Sequence, residues 1–405
     1  METTAALDGL ACTECDTRHD PATVAGRCPD CGGALVATYD ADALATDRAS
    51  LADRRFDGVA RYADLLPFEL DAAVSMTEGT TPLVACPDLA DELGVETVYV
   101  KDEGTNPTGT TADRGMALAV AAARARGAEQ VALPTTGDAG QSAAAYAARA
   151  GLDSEAFVPT RSTFVAKAMT NVHGGEMSVV GGRYPDAVAA FEDAMAEART
   201  AAEAGDGPET ASLAPFDTPY RHEGAKTLLF EVVEQLDWTV PDAVVHPTGH
   251  GLGVVGSHLA SEQLQAAGVV DEAPALHVAQ PEACAPVVAA DDAGADDTEV
   301  WDQPDTLVGS LEVPDPAGGA LALDAIRETG GWAVGVSDDD ALEAAVTVAG
   351  EGVEMSATGG VGAAAAWELA ENGQFGSDDT VVLVNPVAGN KENDVLRSHL
   401  MRQGV

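Results

Sequence analysis

The stretch Lys101-Asp102-Glu103-Gly104-Thr105-Asn106-Pro107-Thr108-Gly109-Thr110-Thr111-Ala112-Asp113-Arg114-Gly115-Met116 joins a strand to a helix. The residues before it, Val95-Glu96-Thr97-Val98-Tyr99-Val100, have the β-branched and aromatic character of a strand. The residues after it, Asp113 to Gly127, read as a helix whose first acid lies near the positive N-terminal end. The same alternation continues outward. Val131-Ala132-Leu133-Pro134 reads as a strand end, followed by a glycine-containing turn and an alanine-rich helix around Ser142 to Gly151. Ala156-Phe157-Val158, a helix near Thr163 to His173, Met177-Ser178-Val179-Val180 and a long helix from about Pro185 to Ala204 follow. This pattern predicts an α/β protein with parallel sheets. In such folds ligands sit at the carboxyl ends of strands, where these turns lie.

A chain of 405 residues is long enough for two or three domains with large cores. Its formal charge is −46, with the acids interleaved among 46% hydrophobic residues, which predicts a folded protein with a solvated acidic surface. Four lysines accompany 17 arginines. An acid-rich, lysine-poor surface suits a cytoplasm of very high salt, where screening shrinks to a few ångströms, and a halophilic host is expected. The charge excludes nucleic acid and anionic membrane as expected partners. The N-terminus has no basic-then-apolar stretch, so no signal peptide is expected, and no run of 18 apolar residues predicts a membrane span. Six cysteines, four of them in C-x-x-C pairs, fit a reducing cytosol. The segment Asp291 to Asp297 reads as a solvated acidic loop, and no internal repeat is visible.

Residues 1–40 form a unit of their own. Cys12-x2-Cys15 and Cys28-x2-Cys31 are two knuckles 12 residues apart, and four thiolates around one tetrahedral ion predict a structural zinc ribbon. Gly32-Gly33 permits the tight backbone that a knuckle needs. His19 is a candidate substitute ligand, although four cysteines already complete a closed shell.

The opening stretch resembles the signature of threonine synthases, members of the second fold type of pyridoxal-phosphate enzymes, which reads K-x-E-x-x-N-P-T-G-S-F-K-D-R-G. Thr80-Thr81-Pro82-Leu83, Pro219 to Thr227, Gln280 to Pro286, and Val336-Ser337-Asp338-Asp339 followed by Glu351-Gly352-Val353 are similar to other family segments in order and spacing. The resemblance implies a two-domain fold: residues 41–115 and 211–405 as the large cofactor-type domain, and residues 116–210 as the small α/β domain. It also implies conversion of O-phosphohomoserine and water to threonine and phosphate, and a homodimer. The second lysine of the pattern forms the Schiff base with pyridoxal phosphate. Here Ala112 stands in its place, between Asn-Pro-Thr-Gly and Asp-Arg-Gly with no gap. A methyl group forms no imine and moves no proton. Low lysine usage does not account for the exchange, because no other side chain offers a primary amine.

The resemblance assigns further positions. The contact to the cofactor's phenolic oxygen falls on Asp138, in the turn Thr135-Thr136-Gly137-Asp138, where an ionised carboxylate would repel a phenolate. Asp138 is equally a candidate helix cap. Arg114, Thr136, Gly137 and Ser142 are the substrate-binding candidates, with a helix N-terminus behind the hydroxyls. Gly249-His250-Gly251-Leu252-Gly253, after the strand Ala243 to Pro247, resembles the phosphate nest. His250 would hold phosphate when protonated, or fill the cofactor space when neutral. The pyridine contact falls on Pro386, which has no side-chain donor or acceptor; a one-residue shift would bring in Asn385. Lys391 is either a substitute amine or an ordinary surface or ion-pair lysine. Three altered contacts on separate segments argue for natural divergence. The expected function is a threonine-synthase-like protein that has lost the family reaction and binds a small phosphorylated or amino-acid ligand as a sensor or regulatory homologue. The alternative is an enzyme of altered or residual activity on phosphorylated amino acids.

Overall fold

The computed structural model describes residues 2–24, 26–44 and 47–403, with the side chain of Gln403 excepted. Among the described residues thirteen strands follow in order: β1 Leu7–Cys12, β2 Arg18–His19, β3 Leu35–Tyr39, β4 Leu83–Ala85, β5 Thr97–Asp102, β6 Gln130–Pro134, β7 Asp153–Pro159, β8 Glu176–Val180, β9 Thr210–Ser212, β10 Ala243–Pro247, β11 Ala275–Pro281, β12 Ala333–Val336 and β13 Thr380–Asn385. They divide between two compact units. One comprises residues 1–80, 112–228 and 262–269; the other comprises 81–111, 229–261 and 270–405.

The first unit holds two sheets. The ribbon sheet has the order β2-β1-β3, all antiparallel. The second sheet, β8-β7-β6-β9, is parallel throughout. Parallel strands need crossovers, and the helices Asp138–Ala150 and Tyr184–Ala204 supply two of them. The core includes Val131, Leu133 and Tyr146 with Met116, Leu118 and Val120 of the Ala112–Ala125 helix.

That helix meets the Pro219–Ala225 helix backbone to backbone. A Cβ added at Gly115 would stand 2.5 Å from the Arg221 carbonyl oxygen, and one at Gly224 would collide with the Arg114 carbonyl. The two glycines therefore allow a crossing that larger residues would push apart. The ribbon is anchored on the same helix: Tyr39 of β3 donates to Glu223 at 2.5 Å, and Lys226 pairs with Glu223 at 2.6 Å.

The second unit is built on one sheet, β12-β11-β10-β13-β5-β4, parallel except for the antiparallel edge pair β4–β5. Its central strands are buried on both faces, which accounts for continuous runs such as Val381-Val382-Leu383-Val384. Asp291 to Asp297 differs from the expected loop. The Pro286–Ala293 helix extends through Asp291 and Asp292 and stops at Gly294, which has φ +63. Arg327 explains the order: it pairs with Asp291 and Asp296, each at 3.7 Å. Among the described residues no helix is long and apolar enough to cross a membrane.

Candidate functional site

In the first unit Ala112 is the first residue of its helix. The next two residues face the interior. Asp113 accepts a hydrogen bond from Ser142 Oγ at 2.5 Å, and Arg114 donates to Thr227 Oγ1 at 3.0 Å; Asp113, Arg114 and Ser142 are all fully buried. Ser142 thus fixes the start of the helix that carries position 112.

The turn after β6 is shaped by Gly137. Its N–H donates to Thr135 Oγ1 at 3.0 Å, its φ is +149, and a Cβ there would stand 2.9 Å from the Ala166 Cβ. Gly137 is the cap residue of the Asp138–Ala150 helix and has no side chain to cap it. This corrects the expectation that Asp138 caps the helix. The strained glycine moves the start one residue on, so the carboxylate lies in the first turn, where the helix dipole favours it. Thr136 is half-buried beside it.

In the second unit the loop after β10 runs through Thr248, Gly249, His250 and Gly251 into the Leu252–Ala266 helix. Gly251 has φ +91, and a Cβ there would stand 3.0 Å from the Gly318 carbonyl oxygen. A Cβ at Gly253 would stand 3.2 Å from His246 Nδ1, and one at Gly249 would stand 3.1 Å from Val313. His250 accepts from the Ala317 N–H at Nδ1, 3.2 Å, and its carbonyl accepts from the Gly318 N–H. Accepting at Nδ1 requires that nitrogen to be unprotonated. The glycines let the loop pack close to its neighbours, and His250 ties it to the 317–318 turn.

After β13 the chain runs beside Thr108 to Thr111. Thr111 N–H donates to the Pro386 carbonyl at 2.8 Å, Thr110 bridges Val387, and Ala388 N–H donates to the Gly109 carbonyl at 3.0 Å. Pro386 acts here through its carbonyl alone. Asn385 is fully buried and committed. Its Oδ1 accepts from Ser356 N–H (3.1 Å) and Oγ (2.9 Å), and its Nδ2 donates to Asp102 (2.9 Å) and the Glu354 carbonyl (3.2 Å). Four hydrogen bonds exhaust an amide that has two donors and one acceptor oxygen.

The four lysines have distinct surroundings. Lys101 is buried, with Nζ on Glu231 (2.9 Å), Gln235 (2.8 Å) and the Thr81 carbonyl (2.8 Å). Lys226 is buried on Glu223 and Gln263, and Lys167 donates to the Thr160 carbonyl. Lys391 is 6% exposed and ends a short 3-10 turn; a Cβ at Gly109 would stand 3.3 Å from its Cε. It therefore packs beneath the Asn106–Gly109 turn, three residues before position 112 in the chain. Its neighbour Glu392 accepts from Thr358 N–H and Oγ1 and from Ser310 Oγ, at 2.8, 2.7 and 3.1 Å. Sequence reading missed this Ser310–Thr358–Glu392 group. Its members lie 34 and 82 positions from Glu392, and no local pattern links them.

In the ribbon, Cys12, Cys15, Cys28 and Cys31 bring their sulfurs within 4.8 Å of one another. Three pairs stand at 3.4, 3.8 and 3.5 Å (12–31, 15–28 and 15–31). A tetrahedral centre with metal–sulfur bonds of ~2.3 Å has sulfur–sulfur edges of ~3.8 Å. The cluster already has nearly that geometry. His19 Nε2 lies 3.2 Å from Cys28 Sγ, beside the cluster.

Residues 74–386 match the family model described as pyridoxal-phosphate dependent enzyme. A threonine synthase of Methanosarcina acetivorans is 33% identical over 377 residues, covering 93% of this chain and 90% of its own. One of Methanocaldococcus jannaschii is 31% identical over 388 residues, covering 95% and 93%. Among solved structures, a lysine-to-alanine variant of O-ureido-L-serine synthase with O-ureido-L-serine bound superposes with a TM-score of 0.63 at 20% identity, over 83% of this chain and 99% of that one.

Proposed function

We propose, because the chain belongs to the pyridoxal-phosphate-dependent enzymes and within them to the threonine synthase family, that it has lost the family's imine chemistry and holds a small amino-acid or phosphorylated ligand without covalent attachment, as a regulatory homologue. Ala112 carries this reading. The family cofactor is pyridoxal phosphate, which a lysine would hold and which would supply an electron sink to a bound amino acid. The residues here fit its phosphate but not its attachment. The Gly249–Gly253 loop suits an anion. Ala112 supplies no amine, Pro386 no side-chain polar atom, and Asn385 no remaining donor. Loss of a positioned proton shuttle alone costs roughly 10²–10⁴-fold. The solved lysine-to-alanine variant of this fold carries an amino-acid ligand, which is the behaviour proposed for this chain.

The test is absorbance in high salt with added pyridoxal phosphate, before and after borohydride reduction. The expected result is no band fixed to a peptide in the natural chain and a fixed band in Ala112→Lys. A band fixed on Lys391 would support the second reading, an enzyme of altered or residual activity on phosphorylated amino acids. The placement of Lys391 beneath the Asn106–Gly109 turn is the observation that keeps this reading open.

The ribbon is proposed to hold one structural zinc ion on Cys12, Cys15, Cys28 and Cys31. The expectation is one zinc per chain by elemental analysis, with chelation lowering the unfolding temperature; a chain that is stable and metal-free as purified would refute it. A halophilic, cytoplasmic homodimer is the proposed state. The −46 charge supports the salt requirement, and stability that rises with salt is its check.

A further inference from the structure

We infer that the unit built on the parallel β8-β7-β6-β9 sheet carries a second site, for a short-chain zwitterionic amino acid, beside the edge strand β9. A cleft of about 250 Å³ opens there. Its apolar wall is the alanine face of the Ala112–Ala125 helix, Ala119, Ala122 and Ala123, with Ala211 and Leu213. Gly26 of the ribbon also lines it. Sites for drug-sized ligands run roughly 300–1,000 Å³, so this volume favours a molecule of a few heavy atoms over a nucleotide.

The polar lining has both signs. Arg126 is the cation. Its Nη2 donates to Tyr220 Oη at 2.8 Å and to the Pro21 carbonyl, while Nε is buried with no partner among the described residues. Nε is closed off from solvent, so a carboxylate in the cleft would take the Nη1 donors, which have no acceptor among the described residues. The anions are Asp217 and Glu209. Asp217 is engaged by Arg27 Nε at 2.7 Å and Ser212 Oγ at 2.6 Å. Glu209 is exposed and has no basic partner among the described residues, so it is available to an ammonium. One carboxylate, one ammonium and a short aliphatic side chain match the guanidinium, Glu209 and the alanine wall.

This cleft is separate from the turn at Thr135–Asp138. It opens at the start of β6 and β9, where Gln130 pairs with Thr210, whereas that turn follows the end of β6. Ala119 to Arg126 also lie seven to fourteen residues beyond Ala112, roughly 10–20 Å along the helix. A ligand here would press on the far end of the helix that begins at position 112. The inference stands whether or not Ala112→Lys regains a fixed cofactor.

The experiment is calorimetric titration of the full chain in high salt with L-alanine, L-threonine and L-isoleucine, paired with hydrogen exchange. At least one should bind and slow exchange over residues 119–126 and 209–213. Ala122→Leu, which fills the cleft, and Arg126→Gln should each weaken that binding tenfold or more. Lactate and ethylamine, each with one of the two charges, should fail to compete. Arg126 also holds Pro21 and Tyr220, so Ala122→Leu and the exchange map decide if Arg126→Gln unfolds. Binding by none of the three amino acids, unchanged binding in Ala122→Leu, or protection confined to residues outside the cleft would overturn the inference.

Discussion

Asn385 shows how a residue beside the expected cofactor position has become structural. Its amide joins the end of β13 to Asp102 at the end of β5 and to Ser356, whose side chain caps the Ala357–Glu371 helix. Asn385→Ala would leave a half-buried carboxylate, a buried hydroxyl and backbone groups short of partners. Unmade buried hydrogen bonds cost ~1–3 kcal/mol each, and water entering the space offsets part of this. The expected loss is about 3 kcal/mol in denaturant unfolding, with no change in ligand affinity at the Gly249–Gly253 loop. A loss of affinity at unchanged stability would instead make Asn385 a ligand contact. Sequence placed Asn385 one step from a functional position but could not reveal its commitment. Its partners lie 29 and 283 positions away, and an amide gives no local sign of which bonds it makes.

At the scale of elements, the crossing of the Ala112–Ala125 and Pro219–Ala225 helices depends on Gly115 and Gly224. Gly115→Ala puts a methyl group against the Arg221 carbonyl. Overpacking of this kind costs typically 1–3 kcal/mol, more than the ~1 kcal/mol that alanine gains over glycine in a helix. Net destabilisation is therefore expected, read as a lower denaturant midpoint at unchanged slope. A stabilised Gly115→Ala would show that the helices separate at no cost. Many of the strands and helices were legible, because strands such as β6 and β13 are short apolar runs and helices such as Asp138–Ala150 end at glycine, whereas β9, Thr-Ala-Ser, carries no such signal. Val131 to Pro134 and Pro185 to Ala204 lie within β6 and the Tyr184–Ala204 helix. What the pattern missed depends on tertiary contact: the extension of the Pro286–Ala293 helix through Asp291, held by Arg327, and the cap at Gly137, forced by Ala166.

For the whole molecule, pH separates two opposed effects. The −46 charge repels itself, and protonating carboxylates toward pH 4 relieves that repulsion and stabilises the fold. Three buried histidines act the other way. Burial, then the Lys226 charge, lowers His222 to about 3; burial, then His277, lowers His246 to about 3; burial lowers His277 to about 4. His277 also accepts from the Trp332 N–H at Nδ1, 3.1 Å, a bond that protonation would break.

A depressed histidine binds its proton more readily in the unfolded chain, near pH 6.5, so its contribution is complete above that pH and is lost as pH falls toward the folded value. Each histidine then removes up to ~1.4 kcal/mol per pH unit, on the order of 2 kcal/mol by pH 5. At 1 M salt the screening length is ~3 Å, which mutes the surface repulsion but leaves the buried rings unaffected. Urea unfolding in molar salt should therefore show stability flat above pH 7 and falling steeply from 6.5 to 5, with a shallower fall in His246→Asn. A profile that stays level or rises over that interval would mean that relief of surface charge outweighs the buried histidines even when screened.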